Sequence, residues 1–378
     1  NNESNVHHLE PQARESMSDN DRRKLADAFD REIDPLEKYQ NTFEDIDIDP
    51  FELFINERVA DRSLADATIG LYDRSFRNWK AFAEEVGRHP ACPNKPLMKQ
   101  FIQHLRDQGT SDDTIKNRVN CLNNAYEYWQ AAQEFPHPTD YNPVKQAKAD
   151  IEFKSDSPKP PHPLSIADVR EQVEEITHIR DRALVLIQLK LGLRATEVCN
   201  IKLSEIHIAN DDLQAHYDTL GTAADLNGHS NALLIPADRE GNKSKRPRLL
   251  PVDDELRAVL VRYLLIRPDN GEPWLFLSKN QHMQCQQDYI NDVWKDAFHP
   301  TYEETEQYRP LTSHFGRHFF TTYWRVNQDL NRELVKYMRG DTPGARSLQE
   351  RGAIDDYIHT YYGDIEQIYR EQIYKIGF

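Results

Sequence analysis

Apolar residues recur at steps of three and four along much of this chain. Ile69, Tyr72, Phe76 and Trp79 form one such stripe, closed by Gly87; that period marks an amphipathic helix. Leu97, Phe101, Ile102 and Leu105 form a second, with Pro96 near its start and Gly109 after it, the punctuation expected of helix ends. A third opens at Ser111, a good N-cap, and runs through Ile115, Val119, Leu122, Tyr126 and Trp129. Its outward side carries Lys116, Asn117, Asn120, Asn123 and Asn124. These are donors short enough to approach a phosphate backbone, or a plain solvated face.

The helical period then breaks. Residues 145–165, KQAKADIEFKSDSPKPPHPLS, are rich in lysine and proline and predict an extended, semi-rigid strap. Lys145 and Lys148 would be its basic contacts. Period returns at SIADVREQVEEI, which starts with a Ser-x-x-Asp cap pattern. RDRALVLIQLKLGLRATEVCNI reads as a buried helix interrupted at Leu191-Gly192-Leu193-Arg194. NALLIPA and RPRLLPV read as two strands joined by a polar tip, DREGNKSK. An amphipathic helix over DDELRAVLVRYLLI follows, then helical stretches around 288–298, 314–325, 330–338 and 364–376.

The expected class is therefore mainly α with a small antiparallel β-sheet. The expected domains are an acidic extension over 1–50, a helical domain over 51–147, a linker over 148–164 and a second domain over 165–378. The extension would hold a short helix around Asp21–Phe29 or fold only on a partner.

Composition narrows the class. The 378 residues leave room for two or three domains, and 38% apolar content supports packed cores. No run approaches 18 apolar residues, and the leading segment has no apolar h-region; a cytoplasmic protein with no membrane span is expected. The four cysteines are scattered and predict buried thiols, not a disulfide frame or zinc site. Net charge is −16, and half of the excess, −8, lies in the first 50 residues. An acidic surface with few lysine clusters suggests a halophilic host; an ordinary acidic protein is the alternative.

Four chemical signals occur in one order. They are GLRATE with Arg194, the basic tip with Lys243 and Lys245, HFGRH with His314 and Arg317, and AIDDYIHTYY with Tyr357. This order resembles the tyrosine recombinase (phage integrase) family, of archaeal and specifically haloarchaeal type. The family signature is an arginine in Gly-Leu-Arg-x-x-Glu, a hairpin lysine, an H-x-x-R box and a late tyrosine. The resemblance covers about residues 51–378 and makes the first helical domain the family's core-binding domain.

What the resemblance implies is physically coherent. Two guanidiniums, Arg194 and Arg317, would grip a DNA phosphate and neutralise the charge growing in the transition state. Tyr357 would attack phosphorus and form a 3′-phosphotyrosine. His314 would accept a proton or position the phosphate, and Lys243 would protonate the departing 5′ oxygen. Lys245 is the reserve for Lys243, and with Arg246 it is an expected DNA contact. Glu197 would brace the site, while His318 could orient neighbours. No metal or cofactor is required. Double-stranded DNA is the expected partner, held between two domains. Four protomers would assemble on two sites through a C-terminal helix bearing Ile365, Ile368, Tyr369, Ile373 and Ile376; the free chain would be a monomer or dimer. That stripe could equally fold back on its own domain.

One departure stands out. The family usually has His or Trp where this chain has Asp341 in YMRGD. An ionised acid cannot donate a hydrogen bond, so Asp341 would instead orient an arginine or His314. The alternatives to a recombinase are a type IB topoisomerase-like relaxing enzyme and a DNA-binding regulator without the reaction. DNA affinity is expected to fall with salt, but with a shallow log–log slope, because acidic surface limits phosphate contacts. A salt titration with a slope as steep as a strongly basic binder's would contradict the halophilic reading.

Overall fold

The computed structural model describes residues 19–59, 66–154, 159–237, 239–242, 244, 246–341 and 354–378; of residues 354–360 it describes the backbone. The chain divides into two compact units, 1–156 and 157–378.

The first unit is helical: α1 (Asp19–Ala28), α2 (Gln40–Asp45), α3 (Pro50–Phe54), α4 (Asp66–Glu85), α5 (Lys95–Asp107), α6 (Asp112–Ala131) and α7 (Pro143–Asp150). The three predicted stripes become the buried faces of α4, α5 and α6 around Trp79, Phe101 and Trp129. Phe51 meets Trp129 edge-on, with ring centroids 4.8 Å apart, a favoured aromatic geometry. Ser111 caps α6 as expected, accepting from Thr114 N–H.

Two readings change here. The acidic extension is not separate throughout, because Leu36 and Phe43 are buried in the same core as Phe51. The expected strap is divided. Asn142 caps a helix with Pro143 at its first turn, a strong start signal, and Val144 and Ala147 reach the core. Lys145 and Lys148 therefore lie on a helix. Further on, Pro161 bridges Arg309 and Lys159 pairs with Glu304 at 2.7 Å, so this part is docked on the second unit's own surface.

The second unit contains α8 (Ile166–Glu175), α9 (Ile179–Leu191), α10 (Ala195–Cys199), β1 (Ile206–His207), α11 (Asp211–His216), β2 (Ala232–Ile235), β3 (Arg248–Pro251), α12 (Asp254–Leu264), α13 (Gln287–Phe298), α14 (Ser313–Thr322), α15 (Arg332–Arg339) and α16 (Ile354–Gln372). The expected hairpin is the antiparallel pair β2–β3, with Leu234 opposite Leu249; β1 adds a third, two-residue strand. The four cysteines are buried free thiols. No helix among the described residues is long and apolar enough to cross a membrane.

The central helix is α9, buried from Ala183 to Leu191 and packed between α12 and α14. Near its end Lys190 is fully enclosed and pairs with Asp253 at 3.1 Å and with Glu255. Burial would raise both carboxyls, but Lys190 and their hydrogen bonds hold both below the usual carboxylate range.

In this single chain the C-terminal stripe takes the second of the two expected courses and folds back on its own unit. The last helix starts earlier than predicted, ends at Gln372, and includes Tyr357. Ile365, Tyr369, Ile373 and Ile376 are buried in the core of their own unit, with Ile368 packed against it. The following tail is clamped by Glu255, which accepts from the N–H groups of Ile376, Gly377 and Phe378. An apolar stripe specifies burial but not the surface that covers it; here Lys190 and Glu255 supply a polar anchor on the same chain.

Removing one partner of a buried ion pair strands the other. Lys190→Met is therefore expected to cost about 3–5 kcal/mol of stability, read as a lowered midpoint in urea unfolding. An unchanged midpoint would show that the cluster is energetically neutral.

Candidate active site

The site begins where α9 stops. Gly192 has φ of 63°, a left-handed conformation that suits glycine. A Cβ there would also lie 2.5 Å from the Phe320 ring. Both constraints explain the Leu-Gly-Leu break, and the chain leaves it with Arg194 at the N-cap of α10. The Arg194 N–H donates to Glu197 Oε2 at 2.9 Å, and its Nη1 to Glu197 Oε1 at 3.3 Å. Glu197 is buried. Burial would raise its carboxyl, but Arg248 and then Arg194 outweigh it and hold the group ionised.

The second guanidinium comes from α14. Gly316 lets this helix approach closely, since a Cβ would lie 2.9 Å from Trp294 and 3.1 Å from Gln188. Arg317 is thereby carried into the interior, only 2% exposed. Its Nη1 donates to the carbonyls of Gly192 (2.8 Å) and Arg339 (2.7 Å). Burial, then repulsion from Arg194 and Arg339, pushes its pKa down to about 9; it remains a cation at neutral pH.

Asp341 joins the two. Its Oδ1 accepts from Arg194 Nη2 at 3.0 Å and from Arg317 Nη2 at 2.6 Å. Its Oδ2 lies 3.0 Å from Arg339 Nε. Arg248, buried on β3, reinforces the arrangement by donating to Glu197 at 3.0 Å and to the Met338 carbonyl at 3.0 Å. Gly340, with φ of 66°, packs directly against the Arg248 guanidinium.

His314 stands at the start of α14, exposed. With Arg194, Thr196, Asn291 and Lys295 it lines an open groove of about 530 Å³. Its imidazole is pushed below the ordinary 6.5, first by partial burial and then by Arg309, Arg317, Arg339 and His318. The neutral, proton-accepting form is thus favoured. His318, also exposed, faces Thr322.

A helical first unit and a second unit with a small sheet, a broken central helix and paired arginines set up the comparison with known proteins. Residues 165–340 match the model of the phage integrase family. Tyrosine recombinase XerD of Listeria monocytogenes serotype 4b (strain F2365) is 22% identical over 293 residues, covering 74% of this chain and 86% of its own. The structure of the Tn1549 transposon integrase in complex with transposon right end DNA aligns with TM-score 0.58 at 17% identity, over 84% of this chain and 98% of its own. A lambda integrase tetramer bound to a Holliday junction aligns with TM-score 0.58 at 13% identity, over 86% and 87%. At such identities the structural likeness is one of fold.

Within the second unit the structure brings Arg194, Arg317 and Asp341 into direct contact and puts His314 on the same groove as Arg194. Lys243 and Lys245 lie outside the described residues, as does the segment 342–353. The backbone of Tyr357 is helical, and its side chain lies outside the description. Its two neighbours are committed elsewhere: Tyr361 is buried and stacked on Tyr337 at 4.9 Å, and Tyr362 is buried against Leu226, Leu234 and Leu249. Arg246 is partly buried, with its carbonyl accepting from Ser244.

On the first unit, Asn117 and Lys145 are exposed, whereas Lys148 donates to Asn120 at 2.5 Å and Lys116 lies over the Phe153 ring. The last three are thus partly engaged within the unit. Sequence reasoning missed Arg248 and Arg339. A usable signal existed for Arg248: an arginine inside the apolar run RLLPV needs a buried acid, and Glu197 was the one already suspected of bracing.

Between its lowered value and 6.5, His314 is neutral when folded but protonated when unfolded. Its contribution to stability therefore falls as pH drops through that window. By NMR its imidazole is expected to titrate below 6.5, and Arg309→Gln is expected to raise the value. No movement in the variant would remove Arg309 from the account.

Proposed function

We infer that this chain is a tyrosine site-specific DNA recombinase. The observation that carries the reading is the convergence of Arg194 and Arg317 beside the His314 groove, in a segment that matches the phage integrase model. Phosphodiesters are stable anions, and two fixed guanidiniums address their main barrier, the repulsion of an incoming nucleophile.

In the proposed cycle the Tyr357 hydroxyl attacks phosphorus and the bond to the 5′ oxygen breaks. The tyrosine becomes linked to the 3′ phosphate. His314, held neutral, accepts the phenolic proton, and Lys243 gives a proton to the departing oxygen. Arg194 and Arg317 carry the charge of the transition state. Attack by a 5′ hydroxyl from another duplex reverses these steps and exchanges strands, so bond energy is conserved. Tyr357 is preferred as nucleophile because Tyr361 and Tyr362 are buried.

Finer features belong to the same proposal. The partner is duplex DNA at specific sites. Asn117 and Lys145 offer exposed backbone contacts; Lys116, Asn120 and Lys148 would exchange internal partners for phosphates, and Lys245 and Arg246 would act near the hairpin. Four protomers would act on two sites; lambda integrase forms a tetramer bound to a Holliday junction. Such an assembly would need contacts other than the C-terminal stripe, or release of that stripe from its own unit. A mobile element and a halophilic, archaeal source fit the acidic chain, with its net charge of −16.

Trapping on a pool of nicked suicide duplexes tests the chemistry. Wild type is expected to yield a covalent protein–DNA adduct, mapped to Tyr357, and Tyr357→Phe to reduce it to background. An adduct that survives Tyr357→Phe would reassign the nucleophile; none in wild type would favour a DNA-binding protein without the reaction.

A further inference from the structure

We propose that, in the DNA-free protein, Asp341 occupies the seat of the scissile phosphate, acting as an internal anion that DNA must displace. The proposal rests on the recombinase reading and concerns regulation of the same site. One carboxylate oxygen, Oδ1, accepts from both Arg194 Nη2 and Arg317 Nη2, at 3.0 and 2.6 Å. A non-bridging phosphate oxygen held between the same two forks would make the same pair of charge-assisted bonds.

The remaining terminal nitrogens cannot substitute freely. Arg317 Nη1 is taken by the carbonyls of Gly192 and Arg339, and Arg194 Nη1 by buried Glu197. The Nη2 atoms are therefore the forks' working ends, and both are spent on Asp341. A phosphate that takes both must push the carboxylate aside, because two anions cannot share one oxygen's place without strong repulsion.

The exit is also present. The Asp341 side chain is 27% exposed, so it can move without crossing a packed core. Its second oxygen already lies 3.0 Å from Arg339 Nε, which can keep the carboxylate paired once Oδ1 is displaced. Gly340 is pinned under Arg248 by its left-handed backbone and close packing, which fixes the main chain just before the acid. The movement is thus confined to the Asp341 side chain. A donor at this position would add to the grip on phosphate; an acceptor competes with it. The consequence is discrimination. A loose phosphate gains little by entering, while a duplex anchored over a wide surface can supply the energy to displace the acid.

The test uses the full chain and inorganic phosphate, followed by calorimetric titration. Asp341→Asn and Asp341→Ala are each expected to bind phosphate about tenfold or more tighter than wild type, and Asp341→Glu to show no gain. Adding Arg194→Gln to Asp341→Asn is expected to erase the gain, which separates the clamp from a general change in net charge. Unchanged or weaker binding in both Asn and Ala variants, with unchanged melting temperatures, would overturn the proposal. So would a gain that persists without Arg194. A variant that melts lower and binds phosphate more weakly would assign Asp341 a structural role instead. Nicked-duplex trapping runs in parallel. Tighter phosphate binding with no adduct in any protein would retain the occupied seat and sink the recombinase. An adduct in wild type without tighter phosphate binding would do the reverse.

Discussion

Like charges at contact distance repel, and this protein gathers four guanidiniums around two carboxylates. Arg194 and Arg248 share Glu197, while Arg194, Arg317 and Arg339 share Asp341. The two deepest arginines could not hold their positions alone. Arg317 and Arg248 are almost fully buried, where an unpaired cation would cost several kcal/mol. The carboxylates make the cluster possible, and the two-to-one ratio leaves it positive. That surplus suits a site whose substrate is anionic and becomes more so at the transition state.

The rest of the second unit serves that cluster. Gly192 ends α9 at the one place where the Phe320 ring leaves no room for a side chain, and turns Arg194 outward. Gly316 brings α14 close enough to Trp294 and Gln188 for Arg317 to reach the Gly192 carbonyl. The β-sheet contributes Arg248 from β3. These positions come from segments far apart in sequence, so the packing of α9 against α14 does what no local motif could: it fixes the distance between two charges that would otherwise separate.

Much of this was legible beforehand. Helices with a clean three-to-four period appeared as read, because periodicity reports burial directly. The hairpin was legible from two apolar runs around a polar tip. Arg194, Arg317 and His314 were found through ordered motifs. The misreadings have physical causes. Lys145 and Lys148 fell in a stretch whose prolines suggested extension, yet Asn142-Pro143 starts a helix there. The C-terminal stripe announced its own burial but not its cover, and the polar anchor formed by Lys190 and Glu255 involves residues more than a hundred positions away. Arg339 gave no warning, since its importance depends entirely on the neighbouring turn at Gly340 that aims Asp341 back at the arginines.

For an acidic chain to handle DNA, as proposed, is no paradox once distance is considered. Half of the net charge of −16 lies in the first 50 residues, and screening limits each surface charge to about 8–10 Å at moderate ionic strength. A phosphate in the groove meets only what lies within that radius. There it finds Arg194, Arg317 and Arg339, with Arg309 close enough to act on His314. It also finds Asp341 already seated. The acid thus serves twice: it lets the arginines assemble without DNA, and it sets the threshold that DNA has to overcome. A purely basic site would have the stronger attraction but would bind any passing anion. Local charge decides whether a phosphate can be held; the carboxylate decides which phosphates are.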